Sequence, residues 1–319
     1  MKLGMQVMTR GPMAVPGGVM AVAREAEALG FDYAAVNDHL VVPRDIGSKY
    51  PYSDTGAWPG KVFGECFDVL TAIAYIAGCT ERLRMVSSVM VVPYRPALLT
   101  AKMVSTLDVL SGGRLTLGIG VGWMEEEFSA LGAADFSDRG RVTDDQIAAW
   151  KELWAAEAPS FASEHVAFSD ISFAPKPVQK PHPPIWIGGE SKAALRRTVR
   201  VADGWFPASN NPKNRLDTVA RLQGGIAELH AISEQMGRDP ASIDIAYVTL
   251  WPVSWEAQTM PEGGRRIMTG SAADMAEDLD ALEQTGVKHM TFTFQTLDLN
   301  ETLDRMRRFA ADVMPLVKR

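Results

Sequence analysis

Eight times along this chain a short apolar strand pattern gives way to a helical one, and no other feature restricts the fold as much. Leu3 to Val7 reads as the first strand. Gly17 to Leu29 follows with Val19, Val22, Ala26 and Leu29 at helical spacing, closed by Gly30 just past the helix end. Phe31 to Val36 is the second strand, and its helix carries Phe67, Leu70, Ile73 and Ala77. Arg84 to Val92 is the third, followed by a helix expected to place Leu99, Met103, Leu107 and Leu110 on one face. Leu115 to Val121 is the fourth, with a short helix after Trp123 and a longer one from Val142 to Ala156. Pro184 to Ile187, Gly204 to Ala208, Ile243 to Leu250 and His289 to Phe294 supply the remaining strands. Their helices are expected at Ser191 to Ala202, Asn214 to Met236, Ser271 to Gly286 and Asn300 to Met314; Ser271 and Asp274 form a capping pair. Alternation of this kind implies a parallel sheet. Eight units in 319 residues predict an α/β fold, a closed (β/α)₈ TIM barrel forming a single domain over 1–319. One stretch, about 157–183, breaks the rhythm with a weak strand pattern and a run of prolines, and reads as an insertion before the fifth strand.

Composition narrows the function. With 46% hydrophobic and 22% charged residues the chain can bury a large core, which excludes disorder. A net charge of -7 without a basic stripe argues against nucleic acid as a partner. Two cysteines, Cys66 and Cys79, both in or beside an apolar helical stretch, point to buried thiols in a reducing compartment rather than to a disulfide framework. No apolar run approaches the roughly 20 residues that span a bilayer, and no charged-then-apolar leader pattern opens the chain. A cytoplasmic, non-membrane protein is expected.

In a barrel of this kind function belongs where strands end and loops begin. Leu115, Leu117, Ile119 and Val121 alternate with Thr116, Gly118, Gly120 and Gly122, so the fourth strand loses its side chains toward its C-terminal end. These glycines either fit a crowded barrel interior or leave room for something flat. The pattern is not a dinucleotide fingerprint, because the third glycine of G-x-G-x-x-G is missing. Gly188-Gly189-Glu190-Ser191, ahead of a helix that Ser191 can cap, is the best anion site, although a plain tight turn reads the same way. Asp38-His39 after the second strand sets a histidine beside a carboxylate; His39 is a candidate general acid or base, or else a structural hydrogen bond in the pocket wall. Val41 to Gly64 is long enough to be a lid or binding loop, and its Tyr50, Tyr52 and Trp58 suit an aromatic pocket. Glu125-Glu126-Glu127 reads as a charge cluster suited to a helix N-terminus. No converging set of metal ligands and no nucleophile elbow is present, so no metal site is expected. A phosphate site, small interior residues and aromatic loops suit a flavin-like planar cofactor acting on a small-molecule substrate.

LDVLSGGRLTLGIGVGWMEEEF, the upstream VVPYRPALLTAKMVSTLD, and KPVQKPHPPIWIGGES followed by VADGWFP resemble the luciferase-like monooxygenase superfamily, and within it the deazaflavin (coenzyme F-420)-dependent oxidoreductases. The resemblance implies the barrel and its insertion. It also implies that Gly188, Gly189 and Glu190 hold the cofactor phosphate through backbone N–H groups. Ser88-Val89 would form a bulge behind the ring, where relatives have a cis non-proline peptide; Asp38 would contact the ring system and His39 would face the substrate. Trp123 stands where the sugar-phosphate dehydrogenases of that branch have an acid, which points to an apolar or aromatic pocket. The activity implied is hydride transfer between coenzyme F-420 and a small organic substrate. The alternatives are an FMN-dependent two-component monooxygenase using O₂ and a separate reductase, and a flavin-binding protein without turnover. Relatives also imply a homodimer.

Overall fold

The computed structural model describes residues 1–62 and 66–317. Phe63 and Gly64, the end of the expected lid, and the last two residues of the expected domain lie outside the described residues.

The barrel strands are β1 (Lys2–Val7), β2 (Tyr33–Val36), β3 (Arg84–Ser87), β4 (Leu115–Gly120), β5 (Ile185–Gly188), β6 (Gly204–Phe206), β7 (Asp244–Pro252) and β8 (Val287–Thr293). Each pairs in parallel with the next, and β8 pairs with β1, so the sheet closes as predicted. Closure leaves no free edge and delivers every strand's C-terminal end to one rim. The third strand is shorter than Arg84 to Val92 implied. It stops at Ser87, the Ser88–Val89 peptide is cis as the resemblance implies, and pairing resumes at Met90–Val91 against Ile119 and Gly120.

That break explains the glycines of β4. A Cβ on Gly118 would sit 2.1 Å from the Ser87 carbonyl oxygen, and one on Gly120 would sit 2.9 Å from Val89. Both glycines therefore admit the neighbouring strand. Inside the barrel, Tyr33, Val86, Trp186, Phe206 and Val248 pack together, and the Tyr33 hydroxyl pairs with Thr291 at 2.8 Å. Side chains close the bore there.

The helices are α1 (Pro16–Ala28), α2 (Val69–Cys79), α3 (Ala97–Leu110), α4 (Glu125–Leu131), α5 (Arg139–Ala155), α6 (Lys192–Val201), α7 (Val219–Gln235), α8 (Ala272–Gln284) and α9 (Leu299–Asp312). Asp68 caps α2, so Phe67 precedes that helix, and α7 starts at its Thr218 cap rather than at Asn214. The capping box of Ser271 and Asp274 is present on α8. On α3 the expected face is wrong: Leu99 is 53% and Leu110 75% exposed. Ala97, Ala101, Val104 and Leu107 are the buried apolar residues, because α5 lies close enough for Trp150 and Trp154 to donate their indole N–H groups to the Ala97 and Ala101 carbonyls. Close packing of that kind selects small side chains, and apolar residues all round a helix hide its phase from a periodicity argument.

The insertion before β5 holds a two-stranded hairpin, Phe161–Ala162 with Ala167–Phe168, and then the cis prolines Pro175 and Pro181. Cys66 and Cys79 are free and half-buried, less enclosed than their apolar context predicted. Among the described residues no helix is long and apolar enough to cross a membrane, and no cluster of His, Cys, Asp and Glu is arranged to hold a metal.

Candidate active site

At the C-terminal end of β2, Asp38 and His39 are both buried, and each has a committed partner. Arg95 donates to the two Asp38 oxygens at 2.8 Å each, and the Val91 N–H donates at 2.9 Å. The same guanidinium reaches Asp68 at 2.5 Å, so it ties β2, the second half of β3 and the cap of α2 together. Burial disfavours the charged guanidinium, but hydrogen bonds and attraction from Asp38 and Asp68 outweigh it and raise its pKa.

His39 is held through its other neighbour. Its Nδ1 lies 2.7 Å from Oε2 of Glu127, a fully buried residue in the first turn of α4. Glu127 also accepts from the Leu40 N–H at 2.7 Å, the Val41 N–H at 3.1 Å and the Tyr94 hydroxyl at 2.9 Å. Burial alone would raise its pKa, yet the hydrogen bonds from His39 and the two backbone amides hold it below the usual carboxylate range. An anionic carboxylate on Nδ1 fixes that nitrogen as the N–H bearer and leaves Nε2 to exchange a proton. The glutamate run does stand in the first turn of α4 as expected, and Glu127 in addition turns inward to His39. Glu126 accepts from the Gly47 and Ser48 amides and so pins the loop after β2.

That loop closes the rim. Trp58 is only 8% exposed and packs 4.5 Å from the His39 ring. Trp123 lies 5.9 Å from Trp58 and 6.3 Å from His39, Tyr50 lies 5.2 Å from Trp123, and Tyr52 sits farther out, 5.6 Å from Tyr50. The loop is anchored across the barrel, where Asn210 donates to the Tyr52 carbonyl at 2.9 Å and Arg215 pairs with Asp54 at 2.5 Å. Burial pushes the Tyr50 phenol up to about 12. Among the described residues, several shielded polar atoms at strand ends have no hydrogen-bond partner: Arg10 Nη1 beyond β1, Asn37 Nδ2 beyond β2 and Gln295 Oε1 beyond β8. Such atoms are costly to leave unpaired, and they mark where a polar ligand would be satisfied.

A second feature lies between the ends of β4 and β5. A cleft of about 300 Å³ is lined by Gly120, Ser137, Arg139, Gly188, Gly189 and Ser191, among others. Ser191 caps α6 by accepting from the Ala194 N–H at 3.2 Å, so the first turn of a ten-residue helix opens onto the cleft. Gly189 has a φ of 102°, a conformation that glycine adopts without strain. Arg139 stacks on Phe136 at 4.0 Å and donates to the Phe136 carbonyl at 2.7 Å, while its shielded Nε has no partner. Arg197 also borders the cleft, but Asp144 occupies it at 2.6 Å. The Glu190 side chain turns inward to the Ala208 N–H and the Asn211 amide, both at 2.8 Å, and burial raises its pKa. Only its main chain is left for a ligand at α6. A wider groove of about 620 Å³ between the segment after β7 and α9 is lined by none of the residues singled out in the sequence.

The rim thus brings His39, Trp58 and Trp123 together; Ser88-Val89, just past β3, adjoins Gly188, whose Cβ position is 3.0 Å from Val89, and of the three residues expected to hold a phosphate Gly188 and Gly189 line the cleft while Glu190 does not. Sequence reasoning missed Glu127 and Arg139. The spacing from Gly188 back to a Phe-Ser-Asp-Arg turn carries no motif, and only the fold joins the two. The residues fit a ring cofactor with an anionic tail: glycine N–H groups, a helix N-terminus and an arginine with an unpartnered Nε meet at one cleft, and unpaired polar atoms gather at the other side of the rim.

The sequence model of the family described as luciferase-like monooxygenase matches residues 1–258. A protein from Mycobacterium tuberculosis, described only as uncharacterised, is 34% identical over 220 residues, which cover 68% of this chain and 72% of its own. An FMNH(2)-dependent dimethylsulfone monooxygenase from Pseudomonas putida is 35% identical over 167 residues, covering 52% of this chain and 46% of that enzyme. Among solved structures, an F420-dependent secondary alcohol dehydrogenase in complex with an F420-acetone adduct has a TM-score of 0.75 at 16% identity and covers 100% of this chain and 99% of its own. At that identity the likeness shows the shared fold.

Proposed function

Because this chain belongs to the luciferase-like monooxygenase family, whose members are F420- or FMN-dependent oxidoreductases and monooxygenases, we propose that it moves a hydride between the deazaflavin coenzyme F-420 and a small organic substrate, with His39 carrying the proton. The observation behind this reading is the hydrogen bond from His39 Nδ1 to the buried Glu127. It presents Nε2 as the exchanging nitrogen among the aromatic rings of the rim. When bound, the cofactor ring supplies the hydride chemistry. The chain supplies the rest. Gly188, Gly189 and Glu190 hold the phosphate through main-chain N–H groups, and Arg139 adds a charge-assisted contact. Ser88-Val89 backs the ring. Asp38 meets it through its main chain, its carboxylate being held by Arg95. Trp58 and Trp123 line the substrate pocket and exclude water. In the reducing direction, His39 Nε2 would give its proton to the substrate oxygen, while Glu127 holds the ring through Nδ1.

A second reading, an FMN-dependent monooxygenase fed by a separate reductase, is favoured by the Pseudomonas putida relative. The chain acts in the cytoplasm in either case. A homodimer would cover the exposed Leu98, Leu99, Val109 and Leu110 of α3. His39→Ala tests the proton role. The variant is expected to lose about 10²- to 10⁴-fold in turnover while binding cofactor normally. Unchanged turnover would remove His39 from the mechanism, and an absence of turnover in the wild-type protein would favour a flavin-binding protein without catalysis.

A further inference from the structure

Arg10 stands three residues beyond the end of β1, on the rim that holds His39. Its guanidinium carbon lies 5.0 Å from the centre of the Trp58 ring, whose other contacts are His39 and Trp123. Nη1 is shielded from solvent and has no hydrogen-bond acceptor, and among the described residues no acid pairs with this side chain. Among the described residues, three acids buried at the rim are committed elsewhere. Asp38 is spent on Arg95, Glu127 on His39, two amides and Tyr94, and Glu190 on Ala208 and Asn211. The groups that feel Arg10 are the neutral Tyr50 and Cys66, and burial pulls its pKa down. The nearby Asn37 amide, bridged to Cys66 through the Thr9 hydroxyl, has its own shielded Nδ2 without a partner. A half-buried guanidinium whose shielded Nη1 has no acceptor among the described residues is satisfied when a ligand supplies the charge.

We propose that Arg10 receives an oxyanion of the substrate, so that the substrate class is small organic acids (carboxylates, sulfinates or sulfonates) with an apolar or aromatic body against Trp58, Tyr50 and Trp123. Arginine's planar fork suits such groups, and the face of Trp58 orients it. This rests on reading the His39 rim as the substrate site. The anion site is separate from the cleft at Arg139, so the acid and the cofactor phosphate do not compete. Gly60 packs over Arg10 and Trp58, where a Cβ would come within 2.8 Å and 2.4 Å of them, so a side chain at that position would crowd both.

The test is calorimetric titration of the cofactor-free protein with benzoate, benzenesulfonate and the uncharged benzamide, at low and high salt, for wild type, Arg10→Gln, Arg10→Lys and Arg139→Ala. Both acids are expected to bind wild type about tenfold or more tightly than benzamide, with affinity falling as salt rises. Arg10→Gln should erase that preference, Arg10→Lys should keep part of it, and Arg139→Ala should leave it intact. Equal binding of acid and amide, no binding of either acid, or a preference that survives Arg10→Gln overturns the proposal. So does loss of acid binding in Arg139→Ala alone, which would place the anion in the phosphate cleft. Reduced-cofactor affinity is measured on the same variants. If Arg10→Gln weakens the cofactor and spares benzoate, Arg10 serves the ring and the proposal fails. If wild type binds the acids through Arg10 but neither cofactor, the functional reading fails and this one stands.

Discussion

Replacing Glu127 by leucine would strand four donors at once: the His39 imidazole, the Leu40 and Val41 amides and the Tyr94 hydroxyl. Removing one member of a buried charged network costs about 3–5 kcal/mol, so Glu127→Leu should lower the urea midpoint sharply, whereas Glu127→Gln keeps one acceptor oxygen and should lose less. The same carboxylate fixes the direction of one pH effect. Its pKa is depressed in the folded state, so its contribution is complete above the ordinary carboxylate value of about 4.3 and is lost as pH falls through its lower folded value. Stability measured down an acid series should therefore fall less steeply in Glu127→Gln than in wild type; parallel slopes would contradict the assignment. His39 was legible in the sequence because it follows a strand beside a carboxylate. Glu127 was not, because three consecutive glutamates at a helix start all satisfy the dipole, and the pattern does not say which one turns inward. Asp38 shows the converse: its position was readable, but Arg95, which claims its carboxylate, lies 57 positions along the chain.

The junction of β3 and β4 is where element-scale reasoning is most exposed to test. Gly118 admits the Ser87 carbonyl, and backbone cannot give way as a flexible side chain can. Gly118→Ala should destabilise by about 1–3 kcal/mol or prevent folding, as overpacking does. Gly224→Ala, inside α7 with nothing near its Cβ position, should gain about 0.5–1 kcal/mol. Thermal unfolding of the pair reads both, and a Gly118→Ala protein as stable as Gly224→Ala would refute the packing account. The glycine run was visible in the sequence with two meanings; the interrupted third strand decides for close approach, a fact that no local pattern in β4 contains. The reading of α3 failed for a related reason, since its buried face is set by the Trp150 and Trp154 indoles of another helix.

For the whole molecule, the eightfold alternation was enough to predict closure, because period-two and helical patterns alternate regularly and parallel strands need crossovers. What alternation cannot give is which loops meet over the rim, and so the seating of Trp58 on His39 and the approach of Arg139 to Gly188-Gly189 appear only in three dimensions. The exposed leucines of α3 belong to this scale as well. Light scattering should report a dimer that Leu99→Glu with Leu110→Glu converts to a monomer, and a monomeric wild type would contradict the homodimer. The arrangement proposed for this rim is a ring cofactor whose phosphate sits between α6 and Arg139. Its most direct test is fluorescence-quenching titration of coenzyme F-420 and FMN side by side against wild type and Arg139→Ala. Tighter binding of the deazaflavin, weakened about tenfold or more by Arg139→Ala, is the predicted result. Tighter binding of FMN would move the assignment to the monooxygenase, and binding of neither, or binding indifferent to Arg139, would contradict the account.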